Sequence, residues 1–151
     1  HVYGYGKSIW AMIDVETRQP ADVLSVRGGL IKDYIEKEYP CPIAQSSRVK
    51  MSGEASPVRQ TDTCYSDVDV NGHVNSVKYI EHILDLWNLD WYRKHPVRRF
   101  EIAYVAESHQ GDRLHFYCER RETDVDFNVR IAKENPDCGE TEVCRCRVLF
   151  A

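Results

Sequence analysis

The sequence predicts an α+β domain in which an antiparallel sheet wraps one long central helix, and three observations carry that prediction. Val74, Val77, Ile80, Leu84, Trp87 and Trp91 recur at helical spacing, with Asn75, Lys78, Glu81, His82, Asp85 and Asn88 on the other side. Four strand-like stretches follow: "VRRFEIAYVAE", "RLHFYCER", "DVDFNVRIA" and "EVCRCRVLF". They are separated by Gly111, by the charged "RETD" and by "KENPDCGE" with its turn signals. The third alternates Val125, Phe127, Val129 and Ile131, the period of a half-buried strand. One helix followed by four strands in a meander buries the apolar stripe against the sheet.

Taken in order, the elements begin with Ile9 to Val15, an apolar run of buried-strand type beside Trp10, which reads as a core or interface residue. Residues 16–54 hold Pro20, Gly28, Gly29, Pro40, Pro42 and Gly53 around one helical piece, "LIKDYIEKEY". That punctuation is what an interdomain connection carries, with its boundary near residue 54. From residue 55 onward the pattern is regular. "VRQTDTCY" reads as a strand that runs into "SDVDVNGHVNSVKYIEHILDLW", where the helix opens. Tyr79, Trp87 and Trp91 read as packing residues, and Cys144 and Cys146 as small apolar fillers on one face of the last strand.

Composition excludes several functions. The 151 residues, 42% of them hydrophobic, supply one ordinary core with a fragment to spare. Twenty-four acids against 20 bases are spread along the chain, giving a net charge of -4 and no nucleic-acid footprint. The six cysteines lack any C-x-x-C spacing and read as reduced thiols rather than a disulfide framework. With no apolar run of membrane-spanning length and no signal-peptide pattern, the expectation is a soluble, cytoplasmic protein that meets no membrane. His82 on the polar helix face, His95 and His109 in turns and His115 in a strand form no metal-binding spacing, so neither metal nor cofactor is expected.

The chemistry gathers at the helix mouth. Asp69, Asn71, Gly72, His73 and Asn75 lie where a helix has four backbone N–H groups without intrahelical partners. Asp69 or Asn71 alone would be read as a cap. Capping does not account for the adjacent His73 or for a second amide at Asn75. The partial positive charge of a helix start also suits an oxygen that becomes negative during reaction. A hydrolytic site needs a base as well, and Glu107 closes an apolar stretch in "FEIAYVAESHQGD", at a strand end able to meet that mouth.

D-x-N-x-H opening a helix, with an acid 34 positions later inside "AYVAES", resembles the acyl-acyl carrier protein thioesterases of bacteria and plant plastids. The resemblance implies a hotdog fold, an antiparallel sheet around a central helix, present twice in that family. Residues 1–15 would be the terminal strand of a mostly absent first module, 16–54 the linker, and 55–151 the second module. It further implies that Asp69, Asn71, His73 and Glu107 are catalytic. Glu107 would activate a water, His73 would orient it or protonate the leaving thiolate, and Asn71 with the N–H groups near Gly72 and His73 would bind the thioester oxygen. Gly72, Asn75 and Ser108 would contact substrate. Many plant members have a cysteine where this chain has Ser108, which argues against a cysteine nucleophile here.

The implied partner is an acyl carrier protein bearing a phosphopantetheine-linked acyl chain, and the implied product is the free fatty acid of fatty acid biosynthesis. Arg93, Lys94, Arg98, Arg99, Arg120 and Arg121 are the cations expected to steer an acidic carrier. An acyl-CoA thioesterase and a non-catalytic acyl-binding module are the alternatives. Retention of all four motif residues favours catalysis, since a binding module needs no base. A single module also leaves apolar surface near Ile9 to Val15 to be covered, by a second copy in a homodimer or by the missing module.

Overall fold

The structure, a computed structural model of the chain, describes residues 1–46, 49–51, 56–137 and 139–151. Gly53, Cys138 and the expected boundary near residue 54 lie outside the described residues. The chain divides into two compact units, His1–Ser46 and Ser47–Ala151.

In the first unit, Met12–Ile13 (β1) pairs antiparallel with Pro20–Ala21 (β2). Asp14 closes the turn between them: its Oδ1 accepts from Thr17 N at 2.7 Å and from the Thr17 hydroxyl at 2.9 Å. The apolar run is thus a strand for two residues only, and Ile9 and Trp10 are 92% and 88% exposed. A 3-10 segment, Val23–Tyr34, is broken at Val26–Gly29, where Arg27, Gly28 and Gly29 all take positive φ. The helical piece expected over "LIKDYIEKEY" therefore ends at Tyr34, where its 3-10 turn stops.

The second unit holds the antiparallel sheet and the helix. Its strands are Arg59–Asp62 (β3), Val97–Tyr104 (β4), Arg113–Arg120 (β5), Asp126–Asn135 (β6) and Gly139–Phe150 (β7), in the order β3-β5-β6-β7-β4. All neighbours are antiparallel. The expected simple meander is corrected here: β5, β6 and β7 follow one another, but β4 crosses to the far edge beside β7, leaving β3 to pair with β5. Period-2 alternation sets the faces. Leu114 and Phe116 of β5, Val129 and Ile131 of β6, and Cys144, Cys146, Val148 and Phe150 of β7 all point into one buried cluster. Fully burying Phe116 or Phe150 contributes roughly 1.5–3 kcal/mol each. The other face is polar and tied by ions: Arg147 grips Asp126 through two nitrogens at 3.0 and 2.9 Å, and Arg145 pairs with Glu142. Asn128 donates to Lys50 O at 3.0 Å, which lays residues 49–51 against that face.

The single long helix is also corrected. Ser76–Leu84 (α1) and Leu89–Lys94 (α2) are separate, each with its own asparagine cap. Asn75 Oδ1 accepts from Val77 N at 2.9 Å, and Asn88 Oδ1 from Trp91 N at 2.9 Å. The face α1 buries is carried by Tyr79 and Ile83, while Val77 of the expected stripe is exposed. Trp87 follows on the same side and meets Phe127 and Phe150 edge-on at 5.1 and 5.0 Å. His82 is corrected too: its side chain is only 17% exposed, with its ring against Phe116. No helix among the described residues is long and apolar enough to cross a membrane.

Candidate active site

Between β3 and α1 the chain makes a 3-10 turn, Tyr65–Asp67, and then a small hairpin pinned by an antiparallel bridge from Val68 to Val74. Asp69 organises its tip. Its Oδ1 accepts from Asn71 N at 2.8 Å and from His73 N at 3.3 Å, while its carbonyl accepts from Gly72 N at 3.1 Å. Gly72 holds φ +82, and a Cβ there would meet no atom within 4 Å. Glycine serves the backbone turn, then, rather than a tight contact. At the base, Asn75 N donates to Asp67 O at 2.8 Å, and Asn75 begins the helix.

Glu107 arrives from the end of β4. His73 Nε2 lies 3.4 Å from Glu107 Oε2, with the two side chains 33% and 55% exposed. Beneath them Val74 N donates to Ser108 O at 2.8 Å, a main-chain bond joining the residue after the histidine to the residue after the glutamate. Lys133 Nζ donates to Glu107 O at 2.9 Å, fixing the same stretch from β6. His109 stands edge-on to His73, ring centres 5.1 Å apart, and the Thr63 hydroxyl donates to His109 O at 2.6 Å.

These groups face a cleft of about 400 Å³. Asp69, His73, Asn75 and Glu107 form its polar end, and Val74, Ala106 and the rings of Tyr79 and Tyr104 form the rest. Burial raises the pKa of both phenols, so they stay protonated donors. Tyr104 donates to Ser76 O at 3.0 Å. The Tyr79 hydroxyl lies beside Ser108, which tempers the rise of its pKa, yet neither hydroxyl meets a well-aligned hydrogen-bond partner.

Of the residues singled out in the sequence, Asp69, His73, Asn75 and Glu107 meet at the cleft. Asn71 stands exposed at the hairpin tip, away from the cleft wall. Ser108 is fully buried, so its hydroxyl does not open onto the cleft and its carbonyl is already used. The N–H groups of Gly72 and His73, expected to bind an oxygen, are occupied by Asp69. In the first turn of α1, Val77 N goes to Asn75 Oδ1 and Lys78 N to Asn75 O. That leaves the N–H of Ser76, at the cleft wall, as the group the helix cannot satisfy internally. The sequence reading missed Ser76, Tyr79, Tyr104 and His109. Tyr79 stands one helical turn beyond Asn75, a spacing that puts it on the same face and could have flagged it.

Most of the cations expected to face a carrier have acidic partners within the chain. Arg93 pairs with Asp90 at 2.9 Å, Arg120 with Asp124 at 2.7 Å and Arg121 with Asp126 at 3.6 Å, while Arg99 is bonded to Glu101. Among the described residues, Lys94 and Arg98 are exposed and enter none of the ion pairs found. No group of three or more His, Cys, Asp or Glu among the described residues is arranged to hold a metal ion.

The family described as "Acyl-ACP thioesterase C-terminal domain" matches residues 50–150. An acyl-ACP thioesterase from Bacteroides thetaiotaomicron is 46% identical with a TM-score of 0.80, over 92% of this chain and 53% of that one. The 12:0-ACP thioesterase from Umbellularia californica is 19% identical, TM-score 0.69, over 92% of this chain and 52% of that one. A hexameric thioesterase from Yersinia pestis shares the fold at 10% identity, TM-score 0.56, covering 67% of this chain and 89% of that one. A search of curated proteins gave no match. The chain spans about half the length of the two acyl-ACP thioesterases it resembles. The fold is the α+β hotdog, and with the matched region covering most of its residues the chain belongs to the acyl-ACP thioesterase family.

Proposed function

We propose that this protein hydrolyses acyl thioesters carried on acyl carrier protein, releasing free fatty acid in cytoplasmic fatty acid biosynthesis. The observation that carries the reading is the His73–Glu107 pair, 3.4 Å apart at the start of α1 and at the polar end of an aromatic-lined cleft. Glu107 acts as general base: it takes one proton from a water as the water oxygen bonds to the thioester carbonyl carbon. The carbonyl oxygen becomes negative and is met by Ser76 N–H at the helix start. When the carbon–sulfur bond breaks, the proton taken by Glu107 passes across the pair to His73, which delivers it to the leaving thiolate. Asp69 keeps the hairpin in shape, with Asn75 setting the helix behind it and Gly72 making its turn. Nucleophilic attack by Ser108 has no support, since its side chain is buried below the site.

We assign residues 55–151 to a catalytic hotdog module, 16–54 to a linker and 1–15 to the end of another module. We further expect the cleft to be completed by pairing, with that module or with a second copy. The test is hydrolysis of one acyl chain presented on acyl carrier protein and on coenzyme A. Faster turnover of the carrier-protein thioester is expected, and Glu107→Gln lowers kcat about 100-fold. Full activity in Glu107→Gln overturns the mechanism, and preference for the CoA thioester overturns the choice of carrier.

A further inference from the structure

Behind the hairpin lies a second acid–histidine pair that the proposed chemistry does not use. Asp67 is 5% exposed, and its Oδ2 accepts from Cys64 N at 2.8 Å and from the Cys64 thiol at 3.1 Å. Its other oxygen, Oδ1, lies 3.5 Å from His82 Nε2. His82 comes from the last turn of α1, and both its ring nitrogens are buried without a hydrogen-bond partner. A buried imidazole with two unsatisfied nitrogens is costly unless something else requires it. At 3.5 Å the pair is a near miss; an N–H···O bond wants about 2.9 Å. Asp67 meanwhile holds the base of the hairpin, because its carbonyl accepts from Asn75 N at 2.8 Å. The charges around the pair are Lys78 on the same helix, Arg59, which lies over Phe116 with its guanidinium 5.9 Å from the ring centre, and Asp85, 3.4 Å from Arg59.

We propose that His82, acting through Asp67, is a positioning residue that seats the hairpin carrying Asp69 and His73 against α1. A shift of about half an ångström turns the near miss into a hydrogen bond. Because Asp67 O and Asn75 N are bonded, that shift moves the hairpin base with it. His73, six positions beyond Asp67 and within the bridged loop, moves relative to Glu107 on β4. The inference rests on the hydrolytic reading only for the rate it predicts.

The test compares His82→Leu, which removes the donor, with His82→Gln, whose amide nitrogen reproduces the reach of Nε2. Turnover is measured with an acyl carrier protein thioester, and the His73 ring is followed by its own NMR titration. His82→Leu is expected to lower kcat about tenfold, since small displacements of reacting groups are expensive. KM should stay within about twofold, which separates positioning from binding. The His73 titration should move in His82→Leu and return in His82→Gln. A lowered melting temperature with kcat and the His73 titration unchanged would make His82 structural only and overturn the proposal. Should His82→Leu fail to fold, His82→Asn, whose shorter amide does not reach Asp67, replaces it in a cycle with Asp67→Asn; additive effects on kcat and on the His73 titration then overturn the proposal. If the protein hydrolyses no thioester while the His73 titration still responds to position 82, the hydrolytic reading fails and the positioning role stands.

Discussion

Asp69 shows how one carboxylate shapes a site without touching the reacting atoms. Its Oδ1 takes the N–H groups of Asn71 and His73, so Asp69→Ala removes two hydrogen bonds worth about 1 kcal/mol each. The expected outcome is a kcat lowered about tenfold or more with the chain still folded, measured as turnover beside a circular dichroism melt. Thiol chemistry offers a separate check. Burial pushes Cys144 up to about 12 and Cys118 up to about 11, and Cys146 higher still, while Cys41 and Cys64 are exposed. Treated with iodoacetamide near pH 8, the folded protein should be alkylated at Cys41 and Cys64. Cys144 and Cys146 should react only after denaturation, as read by peptide mass spectrometry. At this scale the sequence was informative about identity and less so about use. Asp69, His73 and Asn75 were legible because they cluster at a helix mouth beyond what capping needs, and Glu107 because it closes a strand at the spacing the resemblance marks. The occupation of the Gly72 and His73 N–H groups was not, because it depends on the hairpin's conformation rather than on residue type.

Among the elements, the strands were legible almost to their ends, since alternation reports directly on a two-faced sheet: "RLHFYCER" is β5 residue for residue. Their order was not, because alternation says which face a side chain takes and nothing about which strand lies alongside. The break between α1 and α2 was hidden for another reason. Leu86 and Trp87 keep the apolar spacing through the interruption, so periodicity ran on where the backbone did not. Asn88 carried the missed signal, an N-cap in the middle of an apparent helix. Both caps give a stability prediction: Asn88→Ala should cost about 1 kcal/mol in urea unfolding and leave turnover unchanged. Asn75→Ala should cost a similar amount and lower turnover as well, since Asn75 also stands at the cleft.

For the whole molecule, acid stability follows from its buried carboxylates. Burial pulls the Asp67 pKa up, but the bonds from Cys64 and the charges of His82 and Lys78 together hold it below the ordinary value. A group depressed in the folded state stabilises the fold above its unfolded pKa, about 3.9 for Asp, and that contribution fades as pH falls through the folded value. Asp67→Asn should therefore be less stable by about 1–2 kcal/mol at pH 7. The gap between variant and parent should close in unfolding measured near pH 2. The bond from Val74 N to Ser108 O has a different consequence for the molecule as a whole. It is made by main-chain atoms alone, so, proline at position 74 aside, no replacement at either position removes its donor or acceptor. Separation of the histidine from the glutamate is thereby insulated from the identity of residue 108: a serine, a cysteine or an alanine there carries the same carbonyl, and the tie between the two strands of chain is kept.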